Sequence, residues 1–237
     1  SNGEHEGTLR YEIGNKRLKP EYSWQFDVGI DYSFERMSFQ LSLFANRIDN
    51  YIFIQKLGNI QIEDVPAYRY TAGNARIIGG EARIIIHPVR YLHFENSFSY
   101  INSVQLHSPE ESRFLPFTPA PRWISTLHYD INTNSKLLDN TYIEVEMDYN
   151  FKQNHVYKVN NSEIPTPSYT LFNMSAGTNI IHRKKNLFSF YIMVNNIFNK
   201  AYQNHLSRLK YADTNIITGR KGVFNMGRNI GFKIFVP

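Results

Sequence analysis

The most constraining feature of the sequence is a long run in which apolar and polar residues alternate, and this run recurs along the chain. In the most regular example, apolar and polar residues alternate strictly from Ile143 to Lys152. Successive side chains of a β-strand point to opposite faces, so a period of two predicts a strand with one apolar and one polar face. The runs are also longer than the five or six residues, roughly, of an ordinary soluble strand. The sequence therefore predicts an all-β protein.

Nine such runs follow one another, which predicts about nine long strands. They lie near 23–32, 37–46, 70–86, 92–100, 122–131, 143–152, 172–180, 188–195 and 230–236. Short links lie near 33–36, 87–90, 132–139 and 182–186, and long links near 51–69, 103–120, 154–167 and 197–226. Alternating short and long links predict an antiparallel meander with tight turns at one rim and long loops at the other. We assign 1–20 to a loop or linker before the first strand, and 21–237 to the sheet.

The apolar face could meet either a protein core or lipid. A soluble β-sandwich or a lipocalin-like barrel would alternate equally well. Against that alternative, the polar face carries many charges, which must be solvated or paired. Aromatic residues also lie toward the ends of the apolar runs, as in the aromatic girdles of membrane barrels: Trp24, Tyr32, Tyr100, Trp123 and Phe151. No apolar run approaches the roughly 18 residues of a membrane-spanning helix. We therefore favour a membrane β-barrel.

Composition excludes several functional classes. The chain has no cysteine, which excludes disulfides, thiolate metal sites and cysteine catalysis. Its eight histidines lack metal-site spacings, and there is no phosphate-binding loop or nucleophile elbow. The net charge of +5 is modest, so it matters only where basic residues cluster. We expect neither an enzyme nor a resident metal or cofactor, and no nucleic-acid partner.

The odd number of strands is itself informative. Bacterial single-chain barrels have an even strand count, so nine strands suggest a piece of a larger barrel. The first and last strands would then expose unpaired edges, whose natural partners we expect upstream. We accordingly predict that this chain forms a curved sheet rather than a complete barrel.

Five short motifs carry a family resemblance. They are Leu18-Lys19-Pro20-Glu21, the segment Ala72 to Glu81, Pro119-Ala120-Pro121-Arg122, the segment Val194 to Tyr202, and Gly227-Arg228-Asn229-Ile230. In this order, and over nearly the whole chain, they resemble the strand-entry and C-terminal motifs of TonB-dependent outer-membrane receptors. The stretch from His205 to Tyr211 is similar to a Bacteroidetes-type branch. One departure is the end, where Val236-Pro237 follows Phe235 although such receptors commonly finish on phenylalanine.

The resemblance implies both an architecture and partners. It implies a 22-stranded transmembrane barrel with long extracellular loops, short periplasmic turns and an N-terminal plug, of which this chain supplies the C-terminal strands. It places the protein in the outer membrane of a Gram-negative bacterium, in contact with lipid and lipopolysaccharide. Its own plug and upstream strands, the TonB system and a scarce solute would be its other partners. A ferric siderophore or related iron chelate is the expected solute.

The last long loop holds the candidate solute-binding residues. Its basic members are His205, Arg208, Lys210, Arg220 and Lys221, and Tyr202 and Tyr211 are its candidate aromatic anchors. Arginine offers bidentate donors to an anionic chelate. The alternatives are contact with lipopolysaccharide phosphates or a simple solvated loop.

A second set of candidates lies on the polar face and would line the lumen. Its members are Glu81, Arg83, Arg122, His128, Asp130, Glu144 and Glu146. They could line the solute's route or hold the plug by ion pairs, whereas the alternative is charge pairing between neighbouring strands. Glu144 and Glu146 share a face, but without a pocket they are poor evidence for acid–base catalysis.

Two functional classes follow. The first is TonB-coupled active uptake, which needs no covalent chemistry and so agrees with the lack of catalytic motifs. The second is a non-transport binding or adhesion module, or a passive porin-like barrel. A plug domain and a TonB-contact motif encoded upstream would favour the first class.

Overall fold

The computed structural model describes residues 2–8, 10–133, 135–183 and 185–237, apart from the side chain of Glu6. One sheet contains all the strands of these described residues. They are β1 (Asn2–His5), β2 (Arg10–Ile13), β3 (Tyr22–Phe34), β4 (Met37–Ile62), β5 (Val65–Val89), β6 (Leu92–Gln105), β7 (Arg122–Ile131), β8 (Leu138–Asn150), β9 (Tyr169–His182), β10 (Lys185–Asn195) and β11 (Asn229–Phe235). Short 3₁₀ turns occupy Glu6–Thr8, Glu110–Ser112, Val159–Asn161 and Arg208–Tyr211. Within the described ranges, no helix is long and apolar enough to cross a membrane.

Strands β3 to β11 form an antiparallel meander, which confirms the prediction of about nine long strands. Short links follow β3, β5, β7 and β9, whereas long loops 106–121, 151–168 and 196–228 follow β6, β8 and β10. The sheet is open among the described residues, because β3 pairs only with β4 and β11 only with β10. This open sheet agrees with the prediction that the chain does not form a complete barrel.

The strand register keeps the apolar face continuous across all nine long strands. One row of directly opposed residues crosses the sheet from β3 to β11. It consists of Phe34, Met37, Ile86, Phe94, Leu127, Val145, Met174, Val194 and Ile230. A slip of one residue in any strand would turn its apolar side chains to the polar face. The hydrophobic pattern therefore specifies the register.

Two segments that were predicted as links contain strands. The first is 51–69, where β4 and β5 continue and pair from Tyr51 opposite Gly73 to Lys56 opposite Tyr68. A register shift after Ile48 and the apolar run Tyr51-Ile52-Phe53-Ile54 break the alternation, so no two-faced pattern marks this extension. The extended hairpin projects beyond β3 and β6.

The second segment is 1–20, where the structure differs from the predicted loop or linker. Strands β1 and β2 pair antiparallel, and β2 runs parallel to β5 from Tyr11 opposite Ala67 to Ile13 opposite Arg69. Each strand has four residues, which is too short for alternation to be recognised. The pairing of β5 with β6 ends at Ala75 opposite Gln105, and this hairpin pairs with the same edge of β5 beyond that point.

The buried core lies near the long-loop rim, in the loops and in the parts of the strands that meet them. Its apolar residues are Ala67, Ala75, Val104, Leu115, Val156, Tyr157, Tyr169 and Leu171. By contrast, the apolar face of the strands remains open, with Trp24 75% exposed and Phe232 67% exposed. The sheet face therefore has no partner among the described residues, whereas the loops pack on one another.

Gly177 in β9 allows two tyrosine rings to lie on the polar face. A Cβ atom there would lie 2.6 Å from the Tyr142 ring and 2.7 Å from the Tyr191 ring. We expect Gly177→Val to lower the free energy of unfolding by about 1–3 kcal/mol, because the rings must leave their positions. Urea unfolding of the full-length receptor in lipid would measure this change. Gly73→Val is the matched control, since the nearest atom to a Cβ there lies 3.7 Å away in the Gln105 side chain, and equal losses would contradict the prediction.

Candidate functional site

The long-loop rim is a packed assembly, which we call the loop cap. It consists of β1–β2, the extended ends of β4 and β5, and loops 106–121, 151–168 and 196–228. Side-chain and backbone hydrogen bonds join these segments: the Asn160 amide donates to the Lys56 carbonyl at 2.8 Å, and the Lys158 N–H donates to the Glu111 carbonyl at 2.8 Å. The Ile164 N–H donates to the Tyr211 hydroxyl at 3.3 Å. The loops are therefore tied to one another as well as to their own strands.

Glu163 is the buried centre of the loop cap. Its carboxylate accepts hydrogen bonds from the backbone N–H groups of Phe117 at 2.9 Å and Tyr157 at 2.7 Å. The Nε2 atom of His205 lies 3.0 Å from the same carboxylate, and the Nδ1 atom lies 2.8 Å from the Thr166 hydroxyl. One side chain thus holds three long loops together.

His205 and Lys210, both predicted as solute-binding residues, are each only 3% exposed. The Lys210 ammonium donates to the His205 carbonyl at 2.7 Å and to the Thr166 hydroxyl at 3.3 Å. Burial lowers the pKa of Lys210, because removal from water disfavours its charged form. The structure therefore places these two residues inside the loop cap, where they join loops.

Three other predicted residues, Arg208, Tyr211 and Lys221, line one cavity of about 640 Å³. The remaining walls come from distant parts of the chain and include Arg10 of β2, Tyr68 of β5 and Phe117 of loop 106–121. The Arg208 guanidinium lies 4.2 Å from the centre of the Phe117 ring. We call this space the rim cavity.

The last two predicted loop residues lie elsewhere. Tyr202 lines a second cavity of about 410 Å³, together with Arg122, Asp148 and Tyr169, and its ring lies 4.6 Å from that of Tyr169. Arg220 lies outside both cavities, exposed and 5.3 Å from the centre of the Phe224 ring. The seven predicted loop residues are thus divided between the cap interior, two cavities and open surface.

On the polar face, most of the predicted lumen-lining charges are paired across strands. Arg83 binds Glu95 at 2.6 Å, and Arg122 binds Asp148 through two 2.8 Å contacts. The Glu146 carboxylate accepts a 2.7 Å hydrogen bond from Asn173. Glu81 remains exposed opposite Ser42 and Ser99. This geometry favours cross-strand pairing for most of the set.

A line of imidazole and carboxylate groups lies near the short-turn rim of the same face. His128 lies between the Glu144 carboxylate at 3.1 Å and the Asp130 carboxylate at 3.2 Å. Asp130 also contacts His93 at 2.7 Å, and the Nδ1 atoms of His93 and His87 lie 2.6 Å apart. These groups bind one another, and in the described part of the chain no group of three or more such side chains could hold a metal ion.

Sequence reasoning missed three residues of the loop cap, Arg10, Phe117 and Glu163, and placed a fourth, Tyr68, in a loop. Glu163 lies in a loop where no period marks burial, and Phe117 follows Pro116 in another loop. Arg10 and Tyr68 belong to strands predicted as loop. Only the alternating charge of Arg10-Tyr11-Glu12 could have suggested a short strand there.

Buried phenols make the loop cap sensitive to alkali. Burial raises the pKa of Tyr157 to about 12, and burial also raises the pKa of Tyr211 to about 12. The folded state therefore holds these protons more tightly than the unfolded state, so stability falls as the pH rises from about 10 to about 12. Ultraviolet titration should show phenolate signals near pH 12 that Tyr157→Phe and Tyr211→Phe remove. Titration of both residues near pH 10 in the folded receptor would contradict this.

Comparison with known families gives a match over most of the chain. Residues 1–197 match the family model described as TonB dependent receptor-like, beta-barrel. Solved structures with the same fold include the copper transporter OprC, with 18% identity, a TM-score of 0.77 and 93% of this chain covered. They also include the FrpB iron transporter from Neisseria meningitidis (F3-3 variant), with 16% identity, a TM-score of 0.62 and 94% covered.

A third similar structure is the ferric yersiniabactin uptake receptor FyuA from Yersinia pestis. It has 16% identity and a TM-score of 0.61, and 91% of this chain is covered. The match covers 32% of OprC, 32% of FrpB and 30% of FyuA. This chain therefore spans about a third of the length of each.

Proposed function

The chain belongs to the TonB-dependent receptor-like β-barrel family of the Gram-negative outer membrane, and from that membership we propose that it serves TonB-coupled uptake of a scarce solute. In this proposal the chain forms C-terminal strands of a 22-stranded barrel. The remaining strands, the plug and the TonB-contacting segment belong to the rest of the receptor.

Family membership carries the uptake proposal. The observation that supports its membrane location is the apolar row across nine strands. No other part of the described structure covers the side chains of this row, and Leu127 in its middle is 45% exposed. In water, a face of this extent would drive association, whereas in a bilayer it is the surface that meets lipid. Lipopolysaccharide is the proposed neighbour of the loop cap.

A ferric siderophore or related iron chelate is the solute that we propose. Two of the three similar structures described above are named for iron or a ferric chelate, and one for copper. Basic and aromatic residues of the last loop line the rim cavity, and these residue types suit an anionic chelate. The proposed role needs binding and passage and no covalent step.

The proposal is tested by uptake in cells that produce the complete receptor. We expect a deletion strain to grow poorly on one ferric chelate as sole iron source. We also expect the complete receptor to restore ⁵⁵Fe accumulation from that chelate only when TonB is present. Equal accumulation with and without TonB would indicate a passive barrel. Unchanged growth on every chelate would reject iron as the solute.

A further inference from the structure

The rim cavity brings together two arginines from opposite ends of the chain. Arg10 lies on β2 and Arg208 in loop 196–228, and the Tyr68 ring lies close to both charges. The guanidinium carbon of Arg10 lies 5.4 Å from the centre of the Tyr68 ring. Arg10 is paired with Glu12, so Arg208 is the arginine of the two that lacks a carboxylate partner among the described residues.

Arg208 has no counter-ion in the described residues. It takes part in none of their salt bridges or side-chain hydrogen bonds, and its described contact is with the Phe117 ring at 4.2 Å. Burial lowers the pKa of Arg208, and the charge of Arg10 lowers it further. Its charged form is therefore held at a cost that a bound anion would remove.

The Arg10 guanidinium has partners for only some of its hydrogen-bond donors. Its Nε atom donates to the Glu12 carboxylate at 2.6 Å, whereas its Nη1 atom is buried and has no hydrogen-bond partner in the described structure. The Arg10 Nη2 atom also contacts the Glu12 carboxylate, whose second oxygen accepts the Tyr70 hydroxyl at 2.6 Å. A buried donor without a partner is costly and marks a place where a further acceptor fits.

The remaining walls favour a flat anion. Lys56 and Lys221 add two further positive charges, and Asp64 and Asp213 are the acidic residues of the lining. The rings of Tyr68, Phe117 and Tyr211 line the same space. Guanidinium groups bind planar carboxylates through paired hydrogen bonds, and aromatic rings stack on flat groups. A volume of about 640 Å³ suits a small molecule.

We propose that the rim cavity is a binding site for a planar aromatic polycarboxylate, with Arg10 and Arg208 each binding one carboxylate. The ligand joins the N-terminal hairpin to the last loop, so the site exists only when both are in place. This inference rests on the proposed uptake function and names the chemistry of the solute at the rim. The same carboxylates could belong to a metal-loaded or a metal-free solute.

The test uses the full-length receptor in detergent and isothermal titration calorimetry. The probe is isophthalate, whose two carboxylates are fixed on one ring, measured with and without ferric iron. Its uncharged analogue isophthalamide and inorganic phosphate are the comparison ligands. We expect isophthalate to bind, isophthalamide to bind at least about 10-fold more weakly, and phosphate to compete poorly, because charge-assisted paired hydrogen bonds contribute most.

The variants separate binding from folding. Arg208→Gln removes no described hydrogen bond, and we expect it to weaken isophthalate binding about 10-fold or more. Arg10→Gln should weaken it similarly, and Arg10→Lys, which keeps the charge near Glu12, should weaken it less. The matched control is Arg113→Gln, because Arg113 also lies over a ring, 5.6 Å from the centre of Phe114, but outside the cavity. That control should bind like the unaltered receptor.

Several outcomes would overturn the inference. They are undetectable isophthalate binding, unchanged affinity in Arg208→Gln, or phosphate competing as well as isophthalate, which would indicate a lipopolysaccharide phosphate site. If isophthalate binds only with ferric iron, the site takes a metal-loaded solute. If it binds equally well without iron, the site takes a metal-free solute. Either result supports the proposal. TonB-dependent ⁵⁵Fe uptake with no isophthalate binding would reject this inference alone. Binding without TonB-dependent uptake of any chelate would instead reject the proposed function.

Discussion

An arginine in place of Leu127 is expected to stop the receptor from assembling in the outer membrane. Leu127 lies in the middle of the apolar row, opposite Phe94 on β6 and Val145 on β8, and its side chain points outward. A charge at the middle of the lipid-facing band costs about 2–4 kcal/mol, because the guanidinium loses its hydration. That cost is a large part of the stability of an ordinary domain, which is about 5–15 kcal/mol.

The matched control is the neighbouring residue on the other face. Thr126 lies opposite Glu95 on β6 and Glu146 on β8, so Thr126→Arg places the same charge between two carboxylates. We expect Thr126→Arg to assemble normally. Assembly would be measured as the heat-modifiable band on gels of outer membranes, and stability as the urea midpoint in lipid vesicles. Normal assembly of Leu127→Arg, or equal defects in both variants, would contradict the lipid-facing assignment.

Removal of the Glu163 carboxylate is expected to separate the long loops from one another. Glu163→Ala would leave the backbone N–H groups of Phe117 and Tyr157 without their acceptor, and would leave His205 without its carboxylate partner. Breaking a buried network of this kind costs about 3–5 kcal/mol. The loss of stability should be confined to the loop cap, because the strands keep the backbone hydrogen bonds that join them to one another.

Hydrogen exchange of the full-length receptor would measure this effect. We expect faster exchange in 151–168 and 196–228 for Glu163→Ala, with unchanged exchange in β7 and β8. Loop exchange in Glu163→Gln should be intermediate between that of the unaltered receptor and that of Glu163→Ala, because the glutamine amide oxygen can still accept one N–H. Glu110→Ala, at an exposed position of loop 106–121, is the control. Unchanged loop exchange in Glu163→Ala would show that the network does not hold the cap.

The strands illustrate what can be predicted from residue order alone. For β8, alternation from Ile143 to Lys152 identified the strand and both of its faces, because each side chain's face depends only on its position in the strand. The extension of β4 past Asn50 was missed because a bulge and an apolar run interrupt that period. The short strand β2 was missed because four residues carry too little of the pattern.

The candidate site shows the opposite case. His205, Arg208 and Lys210 share a loop and a basic character, so the sequence grouped them as one patch. In the structure His205 and Lys210 are buried around Glu163, whereas Arg208 turns into the rim cavity. Which basic residue is buried depends on contacts with other loops, and no local pattern encodes those contacts.

The sequence by itself determined the all-β class, the two faces of the sheet, the number of long strands and the membership of the receptor family. These properties depend on local alternation and on short motifs, both of which are readable along the chain. Three features could be recognised only in three dimensions: the loop cap, the position of Arg10 and Arg208 near the Tyr68 ring, and the burial of Glu163. They arise where segments distant in sequence converge at one rim, and only packing decides which polar groups lose water and which remain free to bind.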